Sequence, residues 1–585
     1  MESPSISSLP IELLLKVFRE ALIFPFPYWD SKDWDHPWHK IPYIRIVTIT
    51  HVCRRWRVVA LHTPEFWTTV DVNRPMDCFD AFLERSKPHL LTVNAFSSRL
   101  RDPNPMDLER LFLVVPRYRS LNIGGPGTPF DDQMFNDMYP WDRCAQVIES
   151  IDHSGYNSRE TYNHLPLLFQ FELSALKSLT WSGWRLDNLM ELSCPRLTKL
   201  VFRNDMVTLP WTRWLDFLRT TPLLRILELS EAVDPEPLHS MSSRSLPDSV
   251  VHLPHLSSLR LFSSRELPEA RVGLGELALF NHLDFPSHTA IAFDMPHTGA
   301  TSSQIIETIE ARLMQPTFRN GRTTEPAMIA INCYSFGFDV SVWETISEPQ
   351  TICWQWQRTQ SSLSPTALYL RFDTTGVSGD TLTSVYTRTA HLLGSVYSIH
   401  LLDTLVFQNM PETLPQTALA VDAFRSIFKK MVHVRTLHLQ GYCEDTLLEN
   451  ILGRPVIPQT GDKQPSHDNA QESTLLFPSL KTISLEQCDS STPIVSARLN
   501  AASIPKISQI ANTLQERKTV VDCPIDVVHI CAKSGSYPPD TPEKCGGSCY
   551  RTTKPLRSKR LPLFGSDSLS IMQTCLRSGM DNDSC

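Results

Sequence analysis

Residue types that carry chemistry are gathered in a few places in this 585-residue chain. Cys545-Gly546-Gly547-Ser548-Cys549, with Cys523 and Cys531 upstream, offers thiolates that zinc could use, but a closed four-ligand site needs a matching second pair and none follows. His282 and His288 lie near Asp284, a grouping that reads as polar loop residues. Arg551, Lys554, Arg557, Lys559 and Arg560 form a basic cluster fit for a nuclear-import signal, an acidic partner or a solvated tail. Trp181 with Trp184, and Trp211 with Trp214, would serve as a ligand surface, although aromatics at helical or strand spacing more often fill a core.

The usual catalytic signatures are missing. There is no Gly-x-x-x-x-Gly-Lys phosphate loop, no Gly-x-Ser-x-Gly elbow, no His-Glu-x-x-His pair and no dinucleotide glycine fingerprint. No RING-like or cysteine-transfer constellation occurs either. The expectation is a protein that is not an enzyme, with no catalytic residues, metal site or cofactor.

Composition narrows the classes further. Hydrophobic residues make up 41% and charged residues 20%, enough for a large core and no sign of global disorder. The 55 Lys and Arg against 63 Asp and Glu give a net charge of -8, which argues against a general phosphate-backbone binder, so nucleic acid is not an expected partner. The uncharged stretch from Pro326 to Phe338 is too short for a membrane span and contains Asn332. Met1-Glu2-Ser3-Pro4 has no basic lead into a signal core. The expected compartment is therefore cytosol or nucleus, with the 14 Cys mostly as buried thiols. Pro, at 44, outnumbers Gly, at 21, which favours many short elements separated by stops.

The elements begin with a helix over Leu9 to Leu22, opened by Pro10 and an acidic Glu12 in its first turn. Glu12, Lys16, Arg19 and Glu20 share one stripe, and apolar residues cover the rest, so this helix needs more than one packing partner. A Pro- and Trp-rich loop spans Phe24 to Lys40. Tyr43 to Ala60 is ambiguous alone: the β-branched run from Ile44 to Val52 suits a strand, whereas Ile49, Val52, Trp56, Val59 and Ala60 keep helical spacing.

Three ordered blocks resemble the F-box: Leu-Pro-x-Glu-Leu at 9 to 13, Val-Cys-Arg-x-Trp-Arg at 52 to 57, and Thr63-Pro64-Glu65-Phe66-Trp67. Followed by Phe82 to Pro88, the arrangement is similar to the large F-box families of mushroom-forming fungi, closely over residues 5 to 75 and only in general organisation beyond. The resemblance implies a compact helical module that docks on the Skp adaptor of a cullin-RING ubiquitin ligase, with the second segment as helix. It implies that Leu9, Pro10, Leu13, Leu14, Phe18, Val52, Cys53, Trp56 and Val59 form the module core and adaptor-facing surface, without separating the two.

Beyond Trp67 one pattern recurs: apolar, two variable, apolar, one variable, apolar. Clear copies occupy 175–181, 196–202, 224–229, 256–261, 274–279, 402–407, 434–439 and 480–485; weaker ones occupy 67–72, 90–95, 118–123, 328–331, 365–370 and 526–530. They look like leucine-rich-repeat strands at irregular steps. Helices are expected at 76–85, 211–219, 302–313, 419–430 and 504–517. Strand and returning helix, stacked repeatedly, share a continuous core that no single unit can bury. Polar insertions fall at 124–137, 232–248 and 452–473.

The expected fold is α/β: a helical F-box-like module over 1–72, an irregular leucine-rich-repeat-like solenoid over 73–532, and an unstructured Cys/Ser/Pro-rich tail over 533–585. The function this implies is that of a substrate-recognition subunit, joining the Skp-type adaptor and cullin-RING ligase to an unidentified target. The alternative is a scaffold that binds the adaptor and delivers nothing.

Overall fold

The computed structural model of the chain describes residues 9–23, 41–71, 76–96, 115–124, 146–154, 172–182, 193–203, 208–234, 250–262, 274–295, 299–315, 325–334, 337–343, 368–373, 379–409, 414–441, 476–487 and 527–532. The loop 24–40, nearly all of the three insertions, the helix expected at 504–517, the tail from 533, Trp184 and the thiols of 523, 545 and 549 lie outside these residues. The chain divides into two compact units, residues 1–264 with 271–289, and residues 265–270 with 290–585.

The first unit opens with three helices, α1 (Ile11–Ile23), α2 (Ile41–Val52) and α3 (Arg54–Leu61), and continues with α4 (Met76–Ser86), α5 (Trp211–Arg219) and α6 (Leu274–Asn281). Its strands are β1 (Thr69–Asp71), β2 (Leu91–Phe96), β3 (Tyr118–Gly124), β4 (Ser150–Ser154), β5 (Ser178–Ser182), β6 (Lys199–Arg203), β7 (Leu209–Pro210), β8 (Ile226–Ser230), β9 (Val233–Asp234), β10 (Val251–His252), β11 (Ser258–Phe262) and β12 (Leu283–Asp284). Eight of them lie parallel in the order β1-β2-β3-β4-β5-β6-β8-β11, and β7 with β9 and β10 with β12 form short parallel pairs.

The recurring pattern explains this sheet. In β5, Leu179 and Trp181 are buried while Ser178, Thr180 and Ser182 are half-buried, the alternation that a pleated strand imposes. The register then aligns equivalent positions: Leu179, Leu200, Leu227 and Leu259 stand side by side, as do Trp181, Phe202, Leu229 and Leu261. The apolar residue that opens each copy sits in a turn of its own. Leu176, Leu197, Leu224 and Leu256 donate their amides to the carbonyls of Leu173, Cys194, Thr221 and Leu253 at 3.0–3.2 Å, and all four side chains are buried. The next two amides then reach one carbonyl of the preceding copy: Thr198 and Lys199 both donate to Lys177, Arg225 and Ile226 to Thr198, and Ser257 and Ser258 to Arg225.

Helices cover the apolar side. α5 buries Trp211, Trp214, Leu215, Phe217 and Leu218; the Trp214 indole donates to the Ala232 carbonyl at 2.9 Å and meets Phe202 edge-on at 5.6 Å. Trp181, Trp211 and Trp214 are thus core residues. At the end of α4 the Arg117 guanidinium, just before β3, donates to the Leu83 carbonyl and the Ser86 hydroxyl of the last turn and to the His89 carbonyl beyond it, giving the Leu83 carbonyl a partner that a helix end does not supply.

The second unit repeats the device with an interruption. Its strands are β13 (Ala290–Met295), β14 (Met328–Tyr334), β15 (Gly337–Trp343), β16 (Leu368–Asp373), β17 (Thr404–Asn409), β18 (Thr436–Gly441), β19 (Thr482–Gln487) and β20 (Val527–Ala532), ordered β13-β16-β15-β14-β17-β18-β19-β20. From β14 through β17 to β20 the strands are parallel and in register; β15 runs antiparallel to both β14 and β16. Leu402, Val434 and Leu480 occupy the same buried turn as in the first unit. Its helices are α7 (Gly299–Leu313), α8 (Gly379–Val396) and α9 (Leu414–Phe428), with α8 packed on both others. Tyr386 of α8 meets Phe338 edge-on at 4.5 Å, and Phe338 stacks on Phe372 at 5.2 Å.

The fold is therefore mixed α/β with mostly parallel strands, as expected at that level. Among the described residues no helix is long and apolar enough to cross a membrane. One expected strand is wrong: 274–279 is helical, the start of α6. Gly275 marks why that helix fits, because a Cβ there would stand 2.6 Å from the Asp234 carbonyl oxygen.

Candidate functional site

The three N-terminal helices separate two populations of apolar side chains that the sequence mixes. α1 begins with the Leu14 amide donating to the Pro10 carbonyl at 3.0 Å. Leu14 and Phe18, one turn apart, are fully buried. Phe18 meets Trp56 edge-on at 4.9 Å and Phe66 at 5.9 Å, joining α1 to α3 and to the short turn after it. Arg55 donates to the Leu9 carbonyl, Arg57 to the Thr50 carbonyl at 2.9 Å, and the Trp67 indole to the Ala60 carbonyl at 2.9 Å. Trp67 continues the packing into α4 through Phe82, edge-on at 4.9 Å.

The segment Tyr43 to Ala60 is helical but broken. Cys53 sits between α2 and α3 with extended backbone, and its sulfur accepts from the Trp56 amide at 3.4 Å, so it caps α3 in the way Ser or Asp usually does.

On the outside of the same helices, Ile11, Leu13, Val17, Val52 and Val58 are 43–53% exposed. Leu13 and Val17 form one stripe of α1, beside the exposed Glu12, Lys16 and Glu20. Covering the open half of each of these five side chains would contribute on the order of 1 kcal/mol apiece. Of the nine residues picked from sequence, Leu14 and Phe18 are core; Leu9, Cys53, Trp56 and Val59 are half-buried; Pro10, Leu13 and Val52 are exposed. Ile11, Val17 and Val58 lie outside the set that the resemblance implies. The position of Val17 one turn beyond Leu13 is the sequence signal that marks it. The Trp56 indole nitrogen is buried and makes no hydrogen bond among the described residues.

The sequence grouping of His282, Asp284 and His288 lies among the described residues; the thiols of 545 and 549 and the basic cluster of 551–560 do not. His282 stacks on Trp211 at 4.6 Å with Nδ1 against the Ala278 carbonyl at 2.8 Å, while Asp284 pairs with His252 at 2.8 Å across β10 and β12, and His288 is exposed. Ser395 and His391 of α8 both meet the same oxygen of Glu310 on α7, at 2.6 and 2.9 Å. Ser395 Oγ also lies 3.0 Å from the Leu392 carbonyl, and its contact with the Glu310 carboxylate ties α8 to α7. Burial pushes the Cys194 thiol up to about 12, which leaves it inert. Burial likewise pushes the Glu276 carboxyl up to about 8, with the nearby Glu231 charge adding to the shift, and holds the His153 imidazole down at about 4. Among the described residues no group of three or more His, Cys, Asp or Glu is placed to hold a metal ion.

No protein-family model matches the chain, and no curated protein matches it.

Proposed function

We propose that the chain is a substrate-recognition subunit of a Skp-cullin-F-box ubiquitin ligase, with α1–α3 as the adaptor-binding F-box and the two strand arrays as irregular leucine-rich-repeat-like bodies that hold the target. The observation that carries this reading is the divided character of α1–α3. One set of apolar side chains seals the helices to each other, and a second set, Ile11, Leu13, Val17, Val52 and Val58, stands open on the helices that bear the first two F-box-like blocks, the third lying in the turn after α3. The i, i+4 pair Leu13 and Val17, open on one stripe of α1, offers apolar surface to another protein. The in-register rows of the strand arrays, each copy bonded to the one before it, support the stacked-repeat part of the reading.

The mechanism is proximity: holding a target lysine near a charged conjugating enzyme raises its effective concentration with no catalytic group on this chain. The test is reconstitution with purified adaptor, cullin and RING protein. Adaptor co-elution together with chain-dependent and cullin-dependent ubiquitination of a captured protein is the expected result; absence of adaptor binding defeats the proposal, and adaptor binding without transfer leaves only the scaffold.

A further inference from the structure

The face of the first unit's sheet that points away from its helices is not uniform in charge. In-register pairing puts Asp71, Asn94, Asn122, Asp152, Thr180, Val201, Glu228 and Arg260 in one row across the eight strands, with Lys199 and Arg203 two positions either side of Val201 on β6. The row carries Asp71 on β1 and Asp152 on β4, with Asn122 donating to Asn94 at 2.7 Å between them, and the cations Lys199, Arg203 and Arg260 stand in and beside it from β6 to β11. At the basic end Glu228, only 8% exposed, accepts from Arg203 Nε and Nη2 at 3.0 and 2.8 Å and faces Arg260 at 3.9 Å. One carboxylate is thus shared by two guanidinium groups, and Lys199 adds a third cation. Glu228 and Asp152, whose carboxyl feels both Lys199 and Arg203, offset two of the three cations and leave an excess of one positive charge; the Arg203 side chain is 60% exposed, so its remaining donors face solvent, whereas the Arg260 side chain is 21% exposed.

This arrangement is built. Glu228 holds Arg203 through two hydrogen bonds and attracts Arg260 across 3.9 Å, so the Arg203 fork is held in place before any ligand arrives, and less side-chain entropy is lost when one binds. Neighbouring strands stand about 4.8 Å apart, so β6 to β11 covers about 10 Å, the length of about three extended residues. Carboxylates match the fork geometry of arginine, and a segment crossing the strands would meet Lys199 and Arg203 before Arg260.

We infer that the β6–β8–β11 face seats a short run of acidic residues, aspartates or glutamates, on the partner protein. The inference rests on the reading of the strand array as the target-holding body and assigns its chemistry. The test uses the full chain and fluorescein-labelled peptides with three consecutive glutamates, or three lysines, between glycines, alongside a short single-stranded oligonucleotide. Saturable, salt-sensitive binding of the glutamate peptide is expected, weakened at least tenfold by Lys199→Ala with Arg203→Ala. Arg203→Glu should shift preference toward the lysine peptide. Arg119→Ala, in the exposed Arg119–Glu149–Lys177 ladder at the strand starts, should leave binding unchanged. Equal binding of both peptides, stronger binding of the oligonucleotide, or no loss in the double variant overturns the assignment, provided the variants melt with the wild type. Adaptor co-elution measured on the same proteins separates the two ideas: glutamate-peptide binding without adaptor leaves the surface standing and removes the ligase role.

Discussion

Glu276 offers the sharpest quantitative prediction. Its carboxyl lies in the first turn of α6, is 2% exposed, and one of its oxygens has no hydrogen-bond partner among the described residues. Desolvation, with Glu231 nearby, pushes its pKa from 4.5 up to about 8, so the folded protein holds it neutral at pH 7 while an opened chain ionises it. Between those two values the native state binds more protons than the opened one, so stability falls as pH rises, by about 1.4 kcal/mol per pH unit, and levels off above about 8. The summed effect is a few kcal/mol at most. Glu276→Gln keeps the shape and removes the proton. Amide exchange of α6, compared between wild type and variant at each pH, cancels the intrinsic pH dependence. Protection of wild-type α6 should fall about tenfold per unit relative to the variant between about pH 6 and 8, then run parallel. Parallel profiles over the whole range would refute the reasoning.

Other outcomes follow from the same physics. His153, stacked on Trp181 at 4.6 Å with Nδ1 on the Ser182 carbonyl, is held neutral in the fold; its pKa drops from 6.5 to about 4 through burial. The opened chain therefore binds the extra proton, and stability should decline as pH falls below about 6.5, with the loss complete near 4; urea midpoints of His153→Leu should lack that part of the acid sensitivity. Leu14→Ala, at a fully buried site, should cost about 2–5 kcal/mol, whereas Leu13→Ala, half exposed beside it, should cost less than about 1 kcal/mol, both read by denaturation of the full chain.

Much of this fold can be read from local pattern. Copies such as Leu176-x-x-Leu179-x-Trp181 became strands because the turn leucine, the pleat and the register all bury the same three positions. The copy at 274–279 did not, since Leu277, Ala278 and Leu279 favour helix and pattern alone cannot tell a buried helix from a buried strand. α8 was invisible for the opposite reason. Its threonines are poor helix formers by propensity, yet Thr383, Thr387 and Thr389 return their hydroxyls to the carbonyls of Gly379, Thr383 and Val385 four residues earlier. Leu382, Val385, Tyr386, Thr389, Leu393 and Val396 still mark its buried face. β15 breaks the parallel run because it folds straight back on β14, pairing from Tyr334↔Gly337 outward, a hairpin that the leucine pattern does not report. At the candidate site, the motif blocks locate the helices, but dividing Leu13 from Leu14 requires knowing which side of α1 meets Trp56.

Adaptor docking rests on the open apolar side chains of α1, Leu13 and Val17. Purified Skp-type adaptor mixed with the full chain should co-elute in size-exclusion chromatography, and Leu13→Asp with Val17→Asp should abolish that peak while leaving the melting curve of the chain in place. A wild-type chain that elutes alone, or a double variant that still carries the adaptor, would contradict it.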